Sequence, residues 1–281
     1  MPTEQGPTMA LFMDLELSRR LERTEGAVAA SFSPVKQRMM PEVGAIWHDF
    51  AGAYAIFDGA ESPLTQSFGL GLFEPLTAEL LSEVEAFFED RGAAVMHEVS
   101  PLAGIAAIGL LAERGYRPIE LSTVLVQGIA APSTPTPPSA AAGLTVRQID
   151  PGDPHDVAAW IETTITGWSE DPVVATFIRA TAESTSANDA MLHFVVEREG
   201  EPIATGSLGL HTGVALLAGA STIPAARGLG AQNLILSARL AEARRQGCEL
   251  AMMVTAPGAT SQRNAERRGF RVAYTRTKWR L

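Results

Sequence analysis

Ile223-Pro224-Ala225-Ala226-Arg227-Gly228-Leu229-Gly230-Ala231-Gln232-Asn233-Leu234 is the stretch on which the reading of this chain turns. An apolar run breaks at a proline, turns through two glycines and enters a helical pattern. Backbone N–H groups gathered at such a turn, with the helix dipole behind them, form an anion-binding loop. Glycines at 228 and 230 let the backbone approach an anion closely and adopt angles closed to other residues. No Gly-Lys-Ser/Thr follows, so this is not a nucleoside triphosphate loop. The third glycine and downstream acid of a dinucleotide fingerprint are also missing.

The context of the loop is α/β. The pattern predicts strands at 144–148, 192–198, 203–210, 214–223, 250–255 and 271–281. It predicts helices at 156–166, 172–182, 228–246 and 261–268. Asp153-Pro154 caps the first of these and Gly247 closes the third. In the helix 228–246, Leu234, Ile235, Ala238 and Ala241 share one face, and Arg239, Glu242 and Arg245 are expected to turn away from it.

Gly128–Gly143, "GIAAPSTPTPPSAAAG", is rich in proline and alanine and has no apolar period, which marks a semi-rigid linker. It separates residues 1–127 from residues 144–281. The first segment repeats the end of the second: a helix at 76–90, a strand in "AAVMHEVSP", a helix at 102–114 and a strand to Gln127. Glycine to proline spans nine residues in one copy (Gly92 to Pro101) and ten in the other (Gly247 to Pro257), and proline to the next aromatic-flanked glycine spans 14 and 12. This spacing predicts an internal duplication.

Loop, long helix, strand, Pro257-Gly258, Ser261, Asn264 and Gly269-Phe270, in that order, resemble the acetyl-CoA-binding half of the GNAT N-acetyltransferase superfamily. The resemblance is close over 214–275 and architectural over the rest of 144–281. It implies two GNAT-like domains, each a mixed, mostly antiparallel central sheet flanked by helices, with the first domain degenerate. Where a cofactor loop would fall in that domain, the chain reads Gly69-Leu70-Gly71-Leu72-Phe73-Glu74-Pro75, without arginine and with a carboxylate that repels phosphate.

By the same resemblance, the pyrophosphate of coenzyme A lies on Arg227, Gly228, Leu229, Gly230, Ala231 and Gln232. The pantetheine arm lies along Ser221, Thr222 and Ile223, and Asn264 contacts it. Gln232 stands where the family has Gly or Ala. Its side chain either leaves the phosphate path or donates its amide hydrogen to a phosphate oxygen. Ala265 stands where many members carry a tyrosine that protonates the leaving thiolate, so that role falls to Ser261, Tyr274 or water. His211 is the candidate base. The function implied is acyl transfer, most simply acetyl, from acyl-CoA to a small amine. The alternative is an acyl-CoA-binding or regulatory module without turnover.

Composition bounds the rest. Apolar residues at 46% and charged residues at 19% suit a packed globular protein. The net charge of −10 argues against nucleic acid as the main partner. Residues 227–281 carry eleven Arg and Lys against three Asp and Glu, which suits a small polyanion, while the acidic remainder suits a cationic acceptor. His48, His97, His155 and His193 lack metal-ligand spacing and Cys248 reads as packed, so no metal is expected. The acidic start lacks a signal peptide's basic region, and no apolar run is long enough to span a bilayer, so the expected location is the cytoplasm and no membrane partner is expected.

Overall fold

The computed structural model describes residues 11–129, 143–170 and 172–281. Most of the proline- and alanine-rich stretch, and the first ten residues, lie outside the described residues. In chain order the elements are α1 (Leu15–Ala30), α2 (Phe32–Met39), β1 (Ile46–Phe50), β2 (Ala53–Phe57), β3 (Gln66–Phe68), α3 (Ala78–Glu89), β4 (Met96–Val99), α4 (Gly104–Arg114) and β5 (Arg117–Gly128). After the break come β6 (Leu144–Gln148), α5 (Pro154–Gly167), α6 (Pro172–Ser186), β7 (Met191–Arg198), β8 (Glu201–His211) and β9 (Val214–Thr222). The chain ends with α7 (Ala231–Arg245), β10 (Leu250–Thr255), α8 (Thr260–Glu266) and β11 (Arg271–Arg280). Every element read from the sequence is present, with ends shifted by a few residues. No helix among the described residues is long and apolar enough to cross a membrane.

The expectation of a separate sheet in each segment is corrected by the pairing. One eleven-stranded sheet runs β1-β2-β3-β4-β11-β5-β10-β9-β8-β7-β6. The last strand of each segment is exchanged: β11 lies between β4 and β5, and β5 lies between β11 and β10. Strand order depends on hydrogen bonds between distant residues, and no local period encodes it. Two parallel contacts, β3 with β4 and β9 with β10, interrupt an otherwise antiparallel sheet.

Helices cover both faces of the second half of the sheet. On β8, a side chain added to Gly206 would meet Arg239 and Ile235 of α7, while one added to Gly209 would meet Val28 of α1. Positions three apart on a strand point to opposite faces, so α1 and α7 sandwich the sheet. The cores follow: Ala215, Leu217 and Ala251 pack with α7, and Val214, Leu216 and Met252 pack with Leu17, Leu21 and Val28 of α1. α1 starts where Asp14 accepts from the N–H of Leu17 at 2.9 Å.

α7 departs from its expected polarity. Arg239 is 2% exposed rather than turned to solvent. Its Nη1 donates to the carbonyls of Ser207 (3.1 Å) and Ala218 (3.2 Å), reaching over Gly206, which has no side chain to block it.

Candidate active site

β9 and β10 pair in parallel only from Val214–Leu216 to Leu250–Met252. Beyond that point β10 keeps its ladder with β5, and the two parallel strands diverge. β9 is also bulged: Thr205 faces Ser221 and Ser207 faces Ala218, so two steps on β8 oppose three on β9. Gly219 takes the strain at φ +59°.

Two cavities open along this divergence. One of about 700 Å³ is lined by Ser221, Thr222, Arg227, Gly228, Gly230 and Gln232, among others. The second, of about 640 Å³, lies between the diverged strands, with Leu217, Gly219, Val254, Ser261 and Asn264 in its wall. Trp168, Ala220, Gln232, Asn233 and Asn264 line both, so the two are continuous.

Arg227, Gly228, Gly230, Ala231 and Gln232 all line the first cavity. Gly228 and Gly230 hold φ +82° and +88°, the left-handed region that favours glycine. Gly230 is the N-cap of α7 and no side chain caps that helix, so the amides of its first turn face the first cavity without a capping acceptor. Ala231 lines it too. Ile223 instead packs against the core, and Leu229 is 37% exposed. Arg227 pairs with Glu170 at the cavity rim. Gln232 does not aim at an anion. Its Nε2 donates to the Ser221 carbonyl (2.9 Å) and the Thr222 hydroxyl (2.7 Å), bracing the end of β9.

The three catalytic candidates separate. Ser261 lines the second cavity. Tyr274 lines neither cavity. It is 8% exposed and donates to Oε1 of Glu22 at 2.8 Å, and burial holds its pKa well above the usual phenol value. His211 ends β8 opposite Val214, at the far end of β9 from the loop; burial and then Arg23 lower its pKa. Ala265 is buried in the core and lines the second cavity.

His97 is buried between the Ser67 hydroxyl (2.7 Å) and the Tyr116 hydroxyl (2.9 Å), and burial lowers its pKa to about 3. His193, between Ser207 and Thr185, is lowered to about 4 for the same reason. No group of three or more His, Cys, Asp or Glu among the described residues is placed to hold a metal ion. Cys248 is buried.

In the first half, Leu70 and Leu72 are buried and fill the turn at Gly69–Gly71, and Arg19 of α1 donates to the Leu72 carbonyl at 2.6 Å. The Thr77 hydroxyl caps α3, satisfying an amide that would otherwise meet an anion.

Three residues of the site escaped the sequence reading. Trp168 lines both cavities and its buried Nε1 lacks a partner among the described residues. Arg239 lines the second cavity, and its Nε is likewise unpartnered there. Burial lowers its pKa to about 10, so it remains charged at neutral pH. Glu25 reaches the second cavity from α1. Only the two-glycine loop carried a local signal.

Residues 156–270 match the acetyltransferase (GNAT) family. Among solved structures, a GCN5-related N-acetyltransferase from Kribbella flavida is similar over 90% of this chain and 95% of its own, at 16% identity and a TM-score of 0.60. A tandem GNAT protein from the clavulanic acid biosynthesis pathway covers 96% of each chain at 12% identity and a TM-score of 0.58. A GCN5-related N-acetyltransferase from Sphaerobacter thermophilus covers 77% of this chain and 71% of its own, at 19% identity and a TM-score of 0.57. At such identities the likeness is one of fold. No curated protein sequence matches the chain. Residues 156–270 form an acetyltransferase domain of the GNAT family, and the protein that carries this domain is a transferase.

Proposed function

We propose that the protein transfers an acyl group, most simply acetyl, from coenzyme A to a small amine. One observation carries this reading: an uncapped helix N-terminus with two left-handed glycines opens directly into the gap between two diverging parallel strands. The loop amides take the pyrophosphate, and Asn264 and the edge of β9 take the pantetheine arm. The thioester then lies in the gap, where an amide of the bulge at Gly219 stabilises the oxyanion. The amine attacks the carbonyl directly, with no covalent enzyme intermediate. Arg227 and the Gln232 backbone serve the phosphate, while the Gln232 side chain serves the strand.

Residues 1–127 are read as a second GNAT-like unit that has lost its cofactor loop, joined through 128–143 to the acetyl-CoA-binding unit at 144–281. The filled turn at Leu70 and Leu72 and the Thr77 cap support that reading. With Ala265 in the tyrosine position and Tyr274 turned to Glu22, we assign protonation of the thiolate to Ser261 or water.

Calorimetry with acetyl-CoA, followed by a panel of amines scored for free thiol, tests the proposal. Micromolar binding with thiol release for at least one amine is expected. Binding with background turnover across the panel makes the protein an acyl-CoA-binding module instead, as Ala265 would favour. Absence of binding removes both readings.

A further inference from the structure

The gap between β9 and β10 is walled from both faces of the sheet. Leu236 and Arg239 of α7 line it on one face, and Glu25 of α1 lines it on the other. Of the strand residues in its wall, Leu216 belongs to the α1-side core and Leu217 to the α7-side core. The opening therefore passes through the sheet. The loop at 227–232 lies at the N-terminus of α7, so coenzyme A enters from the α7 side. The second reactant is left the α1 side, where Glu25 stands.

We infer, on the proposed acyl-transfer reading, that Glu25 is the carboxylate that binds the acceptor's ammonium group and takes its proton. The catalytic base would then come from the N-terminal half of the chain, from a helix that contributes nothing to the cofactor loop.

Several observations converge on Glu25. It is the one carboxylate among the described residues lining this cavity. Its side chain is 17% exposed and is fixed by Arg276, with Nη1 at 2.7 Å from Oε2 and Nη2 at 2.8 Å from Oε1. Each carboxylate oxygen accepts in two directions, so this clamp orients Glu25 and leaves acceptor capacity toward the gap.

Its surroundings have too few cations. Arg276 serves Glu22, Glu25 and Glu98, while Lys278 is shared between Glu98 and Glu120. Burial raises Glu22 to a pKa of about 7, against the pull of Arg276. An entering ammonium supplies the missing positive charge.

The proposed step balances. Glu25 takes one proton from the ammonium and later releases it to solvent. The amine lone pair forms the C–N bond, the C–S bond breaks with its electron pair left on sulfur, and a second nitrogen proton goes to the thiolate.

The test is acyl transfer by Glu25→Gln, using the best amine of the panel, beside acetyl-CoA calorimetry and thermal melts. Glu25→Gln keeps an acceptor for Arg276, so the expected result is unchanged acetyl-CoA affinity with kcat/KM for the amine lowered about a hundredfold. The loss should shrink as pH approaches the pKa of the amine, because the amine then arrives deprotonated. A structural role alone would not produce that recovery.

The charged groups around Glu25 are Arg276 on β11, with Glu22 on α1 and Glu98 on β4 on the same guanidinium, and Arg239 on α7 and Arg268 beyond α8 in the wall of the same cavity. Should Glu25→Gln fail to fold, Glu25→Asp withdraws the carboxylate by one methylene while keeping its charge, and a drop of about tenfold is expected. Wild-type kcat/KM in a folded variant overturns the assignment to Glu25 and leaves the acyl-transfer reading intact. A wild type that binds acetyl-CoA but turns over no amine overturns both.

Discussion

Arg276 and Glu22 form a fully buried ion pair, Nη1 to Oε1 at 3.1 Å, that joins the last strand of the chain to its first helix. Neither side chain is more than 2% exposed. Glu98 of β4 closes the group at 2.9 Å from Arg276 Nε, so three elements far apart in sequence meet on one guanidinium.

Removing the cation leaves its carboxylates buried without a counter-charge. Arg276→Met is expected to lower stability by about 3–5 kcal/mol, because an uncompensated buried charge costs more than the pair contributes. Urea denaturation measures this, and a loss below about 1 kcal/mol would show that the carboxylates take up protons instead.

Glu22 and the two buried histidines give opposing pH dependence. Glu22, raised to about 7 from an ordinary 4.5, binds more proton folded than unfolded, so its contribution is full below 4.5 and lost as pH rises to 7. His97 and His193, lowered to about 3 and 4 from 6.5, stay neutral when folded, so stability is lost as pH falls below 6.5. Between pH 5 and 6 two histidines outweigh one glutamate, and the wild type is expected to gain about 1.4 kcal/mol per pH unit. Glu22→Gln removes the opposing group and should roughly double that slope, read from urea midpoints at pH 5.0, 5.5 and 6.0.

Gly228 and Gly230 sit in left-handed backbone beside the first cavity. Replacing both with valine forces strained conformations and blocks the approach of an anion. Acetyl-CoA affinity is expected to fall at least a hundredfold by calorimetry while far-ultraviolet circular dichroism keeps its helical signal. Survival of affinity would move the cofactor elsewhere.

Gln232→Ala separates two roles of one residue. Because the side chain bonds to Ser221 and Thr222, its loss should cost about 1–2 kcal/mol of stability. Acetyl-CoA affinity should fall less than tenfold, since the backbone amide remains. A larger fall with unchanged stability would return the side chain to the phosphate.

Strand exchange predicts that residues 144–281 do not fold alone. Without β5, β10 and β11 lose the strand that lies between them, and both edges are left open. Exclusion chromatography and amide dispersion of the isolated segment should report an aggregated or unfolded chain, rescued by coexpression with residues 1–129.

The sequence by itself determined the α/β class, the position of the two-glycine loop and the repeat of strand, helix and strand in both halves. Those features rest on short-range rules: apolar period, caps and positive-φ glycines. Residues 11–68 carry weaker periods, and α1 to β3 emerged only in the fold, although α1 supplies Glu22 and Glu25. Arg239 illustrates the same limit. A helical period with arginine opposite leucine predicts exposure, but the glycine and bulge that admit its guanidinium lie on other strands. Tyr274 and His211, chosen by chemistry and local position, are directed away from the gap by β11 and by the far end of β8. Strand exchange, the passage through the sheet and the burial of Arg276 among three carboxylates were decided by tertiary structure alone, because each depends on groups brought together across the chain by pairing that no local pattern encodes.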